Sequence, residues 1–275
     1  MKVESKVKET IKKYNLCSKR DKILVAMSGG KDSTTVAYIL KKLGYKIEAV
    51  HINLLMGKWS ADNEKNVREF CKKHKIKLYI YPIRKEIGYG ICYVKSVLKS
   101  KEKLRQCTVC GIIRRWILNK KSRQLKATRL ATGHNLDDEA QNVIMNFISG
   151  NPKLGINLGP MTGSIKDKKF IPRIKPLYFL KEKEVETYSR KMRFPVLYER
   201  CPCVIGALRH KIRKKLDELE KKNPKIKENL VKSFLTLQAK MRKNMKDKSI
   251  KYCKLCGEPT RQEICKACRM LGKIK

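Results

Sequence analysis

The chain has 275 residues, 41% of them hydrophobic, which is enough to fill a sizeable core and excludes a disordered polymer. Its 67 basic against 25 acidic residues give a net charge of +42, spread along the chain rather than gathered in a tail, and predict a polyanionic partner, although part of the lysine excess also fits a hot-environment background. No apolar run approaches the ~20 residues of a membrane-spanning helix and the N-terminus has no signal-peptide core, so a cytoplasmic protein with nucleic acid as its partner is expected over one working at a membrane.

Val3, Val7, Ile11 and Tyr14 recur at helical spacing and predict a short amphipathic helix. Ile23-Leu24-Val25-Ala26-Met27 reads as a buried strand and Ser28-Gly29-Gly30-Lys31-Asp32-Ser33 as a tight turn; Val36, Ile39, Leu40 and Leu43 carry a helix over 33–43. Gly44 stops that helix and Ile47 to Ile52 form a second strand. Strand and helix then alternate: helix 63–74, strand 77–83, helix 111–121, strand 130–132, helix 137–149. This order predicts an α/β fold, a parallel sheet covered on both faces, with ligands at the carboxyl ends of strands where Ser28, His51 and Gly133 fall. Residues 150–176, rich in Gly, Pro and Lys, read as an irregular excursion, and helices follow over 181–191, 206–222 and 225–243, the last two basic. The expected organisation is an N-terminal helix over 1–20, a catalytic domain over 21–200, a basic helical region over 201–250 and a C-terminal module over 251–275.

The turn after the first strand is built to hold phosphate. Gly29 and Gly30 allow the backbone to fold tightly so that amides face one anion, the following helix adds the positive end of its dipole, Lys31 adds a charge, and the Ser28 and Ser33 hydroxyls can donate to phosphate oxygens. It is not a Walker A loop, whose spacing differs.

Eleven cysteines in such a chain argue for metal or redox chemistry over a secreted disulfide framework. Cys253-x-x-Cys256 and Cys265-x-x-Cys268 have the spacing of a four-thiolate zinc ribbon. Lys251, Lys254, Arg261, Lys266, Arg269, Lys273 and Lys275 make that module basic, as an RNA clamp or simply as solvated charge. Cys107-Thr108-Val109-Cys110-Gly111 lies mid-chain, just ahead of a predicted helix where thiolates are favoured, and Cys201 can supply a third ligand. Three thiolates suit a 4Fe-4S cluster with one iron left open; a second zinc site using Cys203, or a disulfide-forming pair, are the alternatives. Cys71 reads as a small core residue, and Cys17 and Cys92 carry no functional reading.

The SGGKDS loop after a strand resembles the PP-loop of the ATP pyrophosphatases, which cleave ATP between its α and β phosphates. With Gly88-Tyr89-Gly90-Ile91, the central C-x-x-C-G, Thr132-Gly133-His134-Asn135-Leu136-Asp137-Asp138-Glu139-Ala140, Cys201-Pro202 and the terminal ribbon, nearly the whole chain is similar to the TtcA/TtuA family of tRNA thiolation enzymes, and most of all to its TtuA-type 2-thiouridine synthetases. The resemblance implies a PP-loop ATP pyrophosphatase fold and a reaction in which the C2 oxygen of a tRNA uridine is adenylated and replaced by sulfur. It implies ATP and Mg2+ bound by Ala26, Met27, Ser28, Gly29, Gly30, Lys31, Asp32, Ser33, His51, Ile52, Asn53, Leu54, Gly133, Asn135 and Asp138. Catalysis would fall to Asp138, Lys31 and Arg114 with Cys107, Cys110 and Cys201, the last three holding the 4Fe-4S cluster, while Cys253, Cys256, Cys265 and Cys268 hold Zn2+.

The implied partners are tRNA, a sulfur donor that is either a thiocarboxylated ubiquitin-like carrier protein or free sulfide, and a second copy of the chain. Two departures stand out. Members of the TtuA type usually carry another zinc finger before the PP-loop domain, whereas only Met1 to Asp21 precede the first strand here, with Cys17 alone. Arg114 also stands where the family usually has a lysine, and arginine keeps the charge without serving as a proton carrier. The T-loop uridine is the target implied, the wobble uridine the alternative. Persulfide carried on the same thiols is the cluster-free route. Other classes weighed are a PP-loop ligase making an amide or lysidine on RNA with structural zinc only, and a non-catalytic RNA-binding protein. For Asp137 and Asp138 the competing role is simple stabilisation of a helix N-terminus.

Overall fold

Lys22–Ala26 (β1) alternates its side chains between two cores: Ile23 and Val25 face one, Leu24 the other. It lies inside a six-stranded sheet with Lys46–Asn53 (β2), Leu78–Pro82 (β3), Arg129–Ala131 (β4), Met161–Thr162 (β5) and Arg173–Ile174 (β6), in the order β3-β2-β1-β4-β6-β5. Every neighbouring pair is parallel except β5 with β6. The chain order reverses between β1 and β4, the place where a doubly wound sheet opens a crevice for ligands. The computed structural model describes residues 2–102, 106–150, 155–156, 158–162, 167, 169–199, 201–204, 208–243 and 250–274.

One face of the sheet is covered by Lys2–Lys13 (α1), Lys31–Lys42 (α2), Lys58–Lys73 (α3) and Glu182–Lys191 (α8), whose Val7, Ile39, Phe70 and Val185 are buried together with Ile23 and Val25. Ile83–Ile87 (α4), Ile91–Glu102 (α5) and Gln106–Gln124 (α6) cover the other, with Ile83, Val94, Leu98, Ile113 and Ile117 buried against Leu24 and Val50. Leu136–Ile148 (α7), Leu208–Lys222 (α9) and Ile226–Lys243 (α10) form a third cluster around Leu136, Tyr178, Leu216 and Val231. The C-terminal module is a two-stranded ribbon, Lys251–Tyr252 (β7) with Pro259–Thr260 (β8), followed by Lys266–Gly272 (α11).

The fold agrees with the expected α/β class and corrects it in detail. Cys107 and Cys110 lie inside the first turn of α6 rather than ahead of the helix, because nothing before Gly111 breaks it. The excursion contains β5 and β6, two-residue strands too short to show a period. Two helices, α4 and α5, fill the stretch between β3 and α6 to which no element is assigned above. Much of the excursion (151–154, 157, 163–166 and 168), Arg200, Gly206 at the expected start of α9, and Lys275 of the basic module lie outside the described residues. Cys71 packs in the core as expected and Cys17 joins it; burial pushes both thiols up to about 11, so they are inert.

Candidate functional site

The loop between β1 and α2 needs glycine at Gly29 on two counts. Its φ is +87°, and a Cβ there would stand 2.3 Å from Asn63 Oδ1, which closes over the loop. Ser33 stitches the loop internally, its Oγ accepting from the Ser28 amide at 3.1 Å and donating to the Gly30 carbonyl at 3.1 Å. Ser33 is thus an organiser of the loop, while Ser28 lines the pocket beside it. Gly30 is the N-cap of α2 and brings no side chain to it, so the first-turn amides are left for an anion.

Lys31 is not a free charge. Its Nζ lies 2.8 Å from Glu182 Oε1 and 3.2 Å from Asp32 Oδ2; burial opposes its charge, and the two carboxylates outweigh burial and hold its pKa above the ordinary value. Glu182 also pairs with Arg213, so α2, α8 and α9 are tied at this point.

Gly133, just beyond β4, packs against the first turn of α2: a Cβ would stand 2.7 Å from Ser33 N and 2.8 Å from the Asp32 carbonyl carbon. Asn135 Nδ2 donates to Asp32 Oδ1 at 3.0 Å, and Asn135 Oδ1 accepts from the Asp138 amide at 3.1 Å to cap α7. Asp138 completes the capping box and meets Arg209 Nη1 at 3.4 Å, with its side chain still 35% open to the cleft. Burial, only partly offset by Arg209, pushes its carboxyl up to about 6. Asp137 is a clasp instead, holding Lys227 Nζ at 2.5 Å and accepting from the Glu182 amide at 2.7 Å.

Beside the loop lies a pocket lined by Ala26, Met27, Ser28, Val50, His51, Ile52, Leu54, Trp59, Ser60, Asn63, Arg114 and Leu118. His51 Nδ1 is 3.0 Å from the Met27 carbonyl, which only accepts, so Nδ1 carries the proton. Burial keeps the ring neutral, and Nε2 is left as a buried acceptor with no partner. Asn53 is turned away from the pocket: its Nδ2 donates to Glu64 at 2.6 Å and its Oδ1 accepts from the Leu55 amide at 2.8 Å.

The sulfur residues gather where α6 begins. Cys107 Sγ is 3.7 Å from the Cys203 carbonyl oxygen, on the 3-10 turn Pro202–Val204. The ammonium of Lys95, a residue only 3% exposed, is within electrostatic reach of Cys110, Cys201 and Cys203. Among the described residues the ribbon cysteines are the thiol set whose sulfurs all lie within 4.8 Å of one another; Cys107, Cys110 and Cys201 are more widely spread. One tetrahedral ion fits the ribbon, with the Cys265 amide donating to Cys253 Sγ at 3.2 Å and that of Cys268 to Cys265 Sγ at 3.4 Å. A soft, wider set with three thiolates fits a multi-iron cluster.

Helix α6 connects these parts. Arg114, one turn beyond Cys110, reaches the pocket beside the β1–α2 loop. On the same helix Ile112 and Trp116 pack against the ribbon cysteines, and Asn119 Nδ2 and Arg123 both hold the buried Glu258 carboxylate, the first at 2.7 Å. The ribbon therefore braces the helix that presents Cys107 and Cys110. Sequence reasoning missed Trp59, Ser60 and Asn63, which reach the pocket through the packing of α3 and carry no local signal. It also missed Lys95, for which a signal existed: a lysine on the same helical face as Ile91, Val94 and Leu98.

A family model described as a PP-loop domain matches residues 1–218. A tRNA-5-methyluridine(54) 2-sulfurtransferase of Pyrococcus horikoshii is 39% identical over 272 residues, covering 99% of this chain and 85% of that protein. A probable sulfurtransferase of Methanocaldococcus jannaschii is 34% identical, covering 99% of this chain and 80% of its own. Among solved structures, the U34-tRNA thiolase NcsA from Methanococcus maripaludis with its 4Fe-4S cluster matches with a TM-score of 0.81 and 30% identity, over 98% of this chain and 86% of that one. Loop, cysteine set and ribbon, with these likenesses over nearly the full length, establish that the chain belongs to the PP-loop family of tRNA 2-sulfurtransferases.

Proposed function

We propose that this protein thiolates C2 of the T-loop uridine of tRNA at the expense of ATP. The observation that carries the reading is α6, which presents Cys107 and Cys110 at its start and Arg114 to the nucleotide pocket one turn later.

The β and γ phosphates of ATP rest on the first-turn amides of α2 beside Lys31, and His51 Nε2 accepts from the adenine N6 amino group. Asp32 and Asp138, whose charges oppose one another across the cleft, form a hard oxygen pair suited to the Mg2+ that accompanies ATP. The uridine O2 attacks the α phosphorus; an O–P bond forms, the bridge to the β phosphate breaks, and pyrophosphate leaves on the loop with its electron pair. Arg114 lies at the pocket wall to stabilise charge as it develops, in place of the lysine usual in the family.

Hydrosulfide then adds to C2, the C2–O bond breaks, AMP departs with those electrons, and the sulfur proton passes to solvent, so no net oxidation occurs. A 4Fe-4S cluster held by Cys107, Cys110 and Cys201 would supply an iron with an open position for sulfur. Zn2+ in the ribbon is structural in this reading. Sulfide or a thiocarboxylated carrier protein is the donor, and a homodimer is the form carried over from the family.

The test is mass spectrometry of nucleosides from tRNA incubated anaerobically with the protein, ATP, Mg2+ and sulfide, using transcripts with U54 or U34 replaced by C. ATP-dependent 2-thiouridine lost only with U54 is the expected result. Loss only with U34 would favour the second reading, suggested by the likeness to the U34 thiolase, and no thiouridine with either would defeat both.

A further inference from the structure

Next to the nucleotide pocket the cleft gathers more cationic charge than ATP chemistry employs. Arg114, Arg173, Arg209 and Lys175 all act on the imidazole of His134, which desolvation in the cleft and then these cations keep neutral. Arg115 in turn lies within electrostatic reach of Arg114, Arg209 and Cys110, and Arg173 within reach of Arg115. Four guanidinium groups from α6, β6 and α9 are therefore within electrostatic reach of His134 or of one another, on the side of the sheet where Cys110 lies.

Their counter-charges are few. Lys175 is spent on Glu139 at 2.8 Å, and Arg209 shares Asp138 at 3.4 Å with the side chains of Gln141 and Asn142. Arg114, Arg115 and Arg173 have no carboxylate within 4.0 Å among the described residues, and the buried Nε of Arg173 has no hydrogen-bond partner. Gly111 leaves room for this crowding: a Cβ there would stand 3.2 Å from Arg115 Nη1. Arginines held together in this way repel one another and are stabilised by an anion whose oxygens match the guanidinium fork.

We propose that Arg115, Arg173 and Arg209 form a subsite for a backbone phosphodiester of the RNA beside the target nucleotide. The inference rests on the thiolation reading, since it takes RNA to be the substrate. ATP is accommodated elsewhere: the three arginines are not among the residues of its pocket, and the α2 amides already serve its phosphates. Arg115 is open to solvent, as a polymer entering from outside requires.

The experiment measures tRNA affinity by fluorescence anisotropy over a salt series, and ATP and AMP affinity by calorimetry, for wild type, Arg115→Gln, Arg173→Gln and Arg209→Gln, with a melting curve for each. Arg115, exposed and without a carboxylate partner among the described residues, is the variant least exposed to a folding defect. Arg115→Gln and Arg173→Gln are each expected to weaken tRNA binding ~10-fold and to lower the log–log salt slope by about 0.9, the value of one released counterion, with ATP and AMP affinity unchanged; Arg209→Gln, which also frees Asp138, is read on the salt slope alone. Weaker ATP or AMP binding with an unchanged tRNA slope would assign the arginines to the nucleotide and overturn the proposal. Unchanged affinity for both would remove the subsite while leaving thiolation standing. Wild-type protein without tRNA affinity would instead bring down the thiolation reading itself.

Discussion

Gly133→Ala adds one methyl where two ligand-binding loops meet. The new Cβ would lie 2.7 Å from Ser33 N and 2.8 Å from the Asp32 carbonyl carbon, both backbone atoms in the first turn of α2, so no side-chain rotation relieves the contact. Gly133 does not have a left-handed φ, so the cost is steric and not conformational. Overpacking of this kind costs about 1–3 kcal/mol. If that energy falls on the loop geometry that ATP requires, its Kd rises about 5- to 140-fold, at 1.4 kcal/mol per decade. Gly90→Ala is the control: nothing lies within 4 Å of its added methyl, and its φ is also outside the left-handed region, so a change within about 0.5 kcal/mol is expected. Calorimetric titration with ATP and thermal melts of both variants measure the difference. An ATP Kd and melting temperature for Gly133→Ala equal to those of wild type would refute the contact between the β4 end and α2.

Asp138, held up at about 6 against a usual 3.8, binds its proton more tightly in the folded state. Its contribution to stability is therefore present below the unfolded value and lost as pH rises through about 6, so Asp138→Asn should gain stability relative to wild type across that window. The same titration makes the carboxylate available, and pyrophosphate release should rise through about pH 6 in wild type; an Asp138→Asn enzyme keeping both the rate and that limb would exclude a role for the carboxylate. Lys95→Met removes the buried ammonium among Cys110, Cys201 and Cys203, and the protein should retain less iron after anaerobic reconstitution and desalting. Equal iron in the two proteins would show that the charge does not support the thiolates.

The elements that could be read from residues alone were those with a full period or a strong stop. Ile23 to Met27 is a continuous apolar run closed by a Gly turn, Ile47 to Ile52 is a mainly apolar one interrupted by Glu48 and His51, and the cysteine pairs of the ribbon announce a four-thiol set by spacing. Helix α5 escaped because Lys95 interrupts its apolar face, and the reason for that lysine lies in Cys203, far along the chain. The two-residue strands β5 and β6 have no period and exist only through pairing with neighbours. At the site, the loop residues and the place of His51 at a strand end were visible, whereas Asn63 over Gly29 and Glu182 on Lys31 are meetings made by the fold. Asn53, implied as an ATP-binding residue by the resemblance, has its side-chain amide paired with Glu64, a partner no local pattern announces.

The most direct test of the account is an anaerobic count of iron, acid-labile sulfide and zinc on wild type and on Cys107→Ala, Cys110→Ala and Cys201→Ala. The account predicts about four iron and four sulfide per chain in wild type, lost in every variant, with about one zinc retained throughout on Cys253, Cys256, Cys265 and Cys268. About two zinc and no iron would contradict it, making the central cysteines a structural site and returning the chain to RNA chemistry without sulfur transfer.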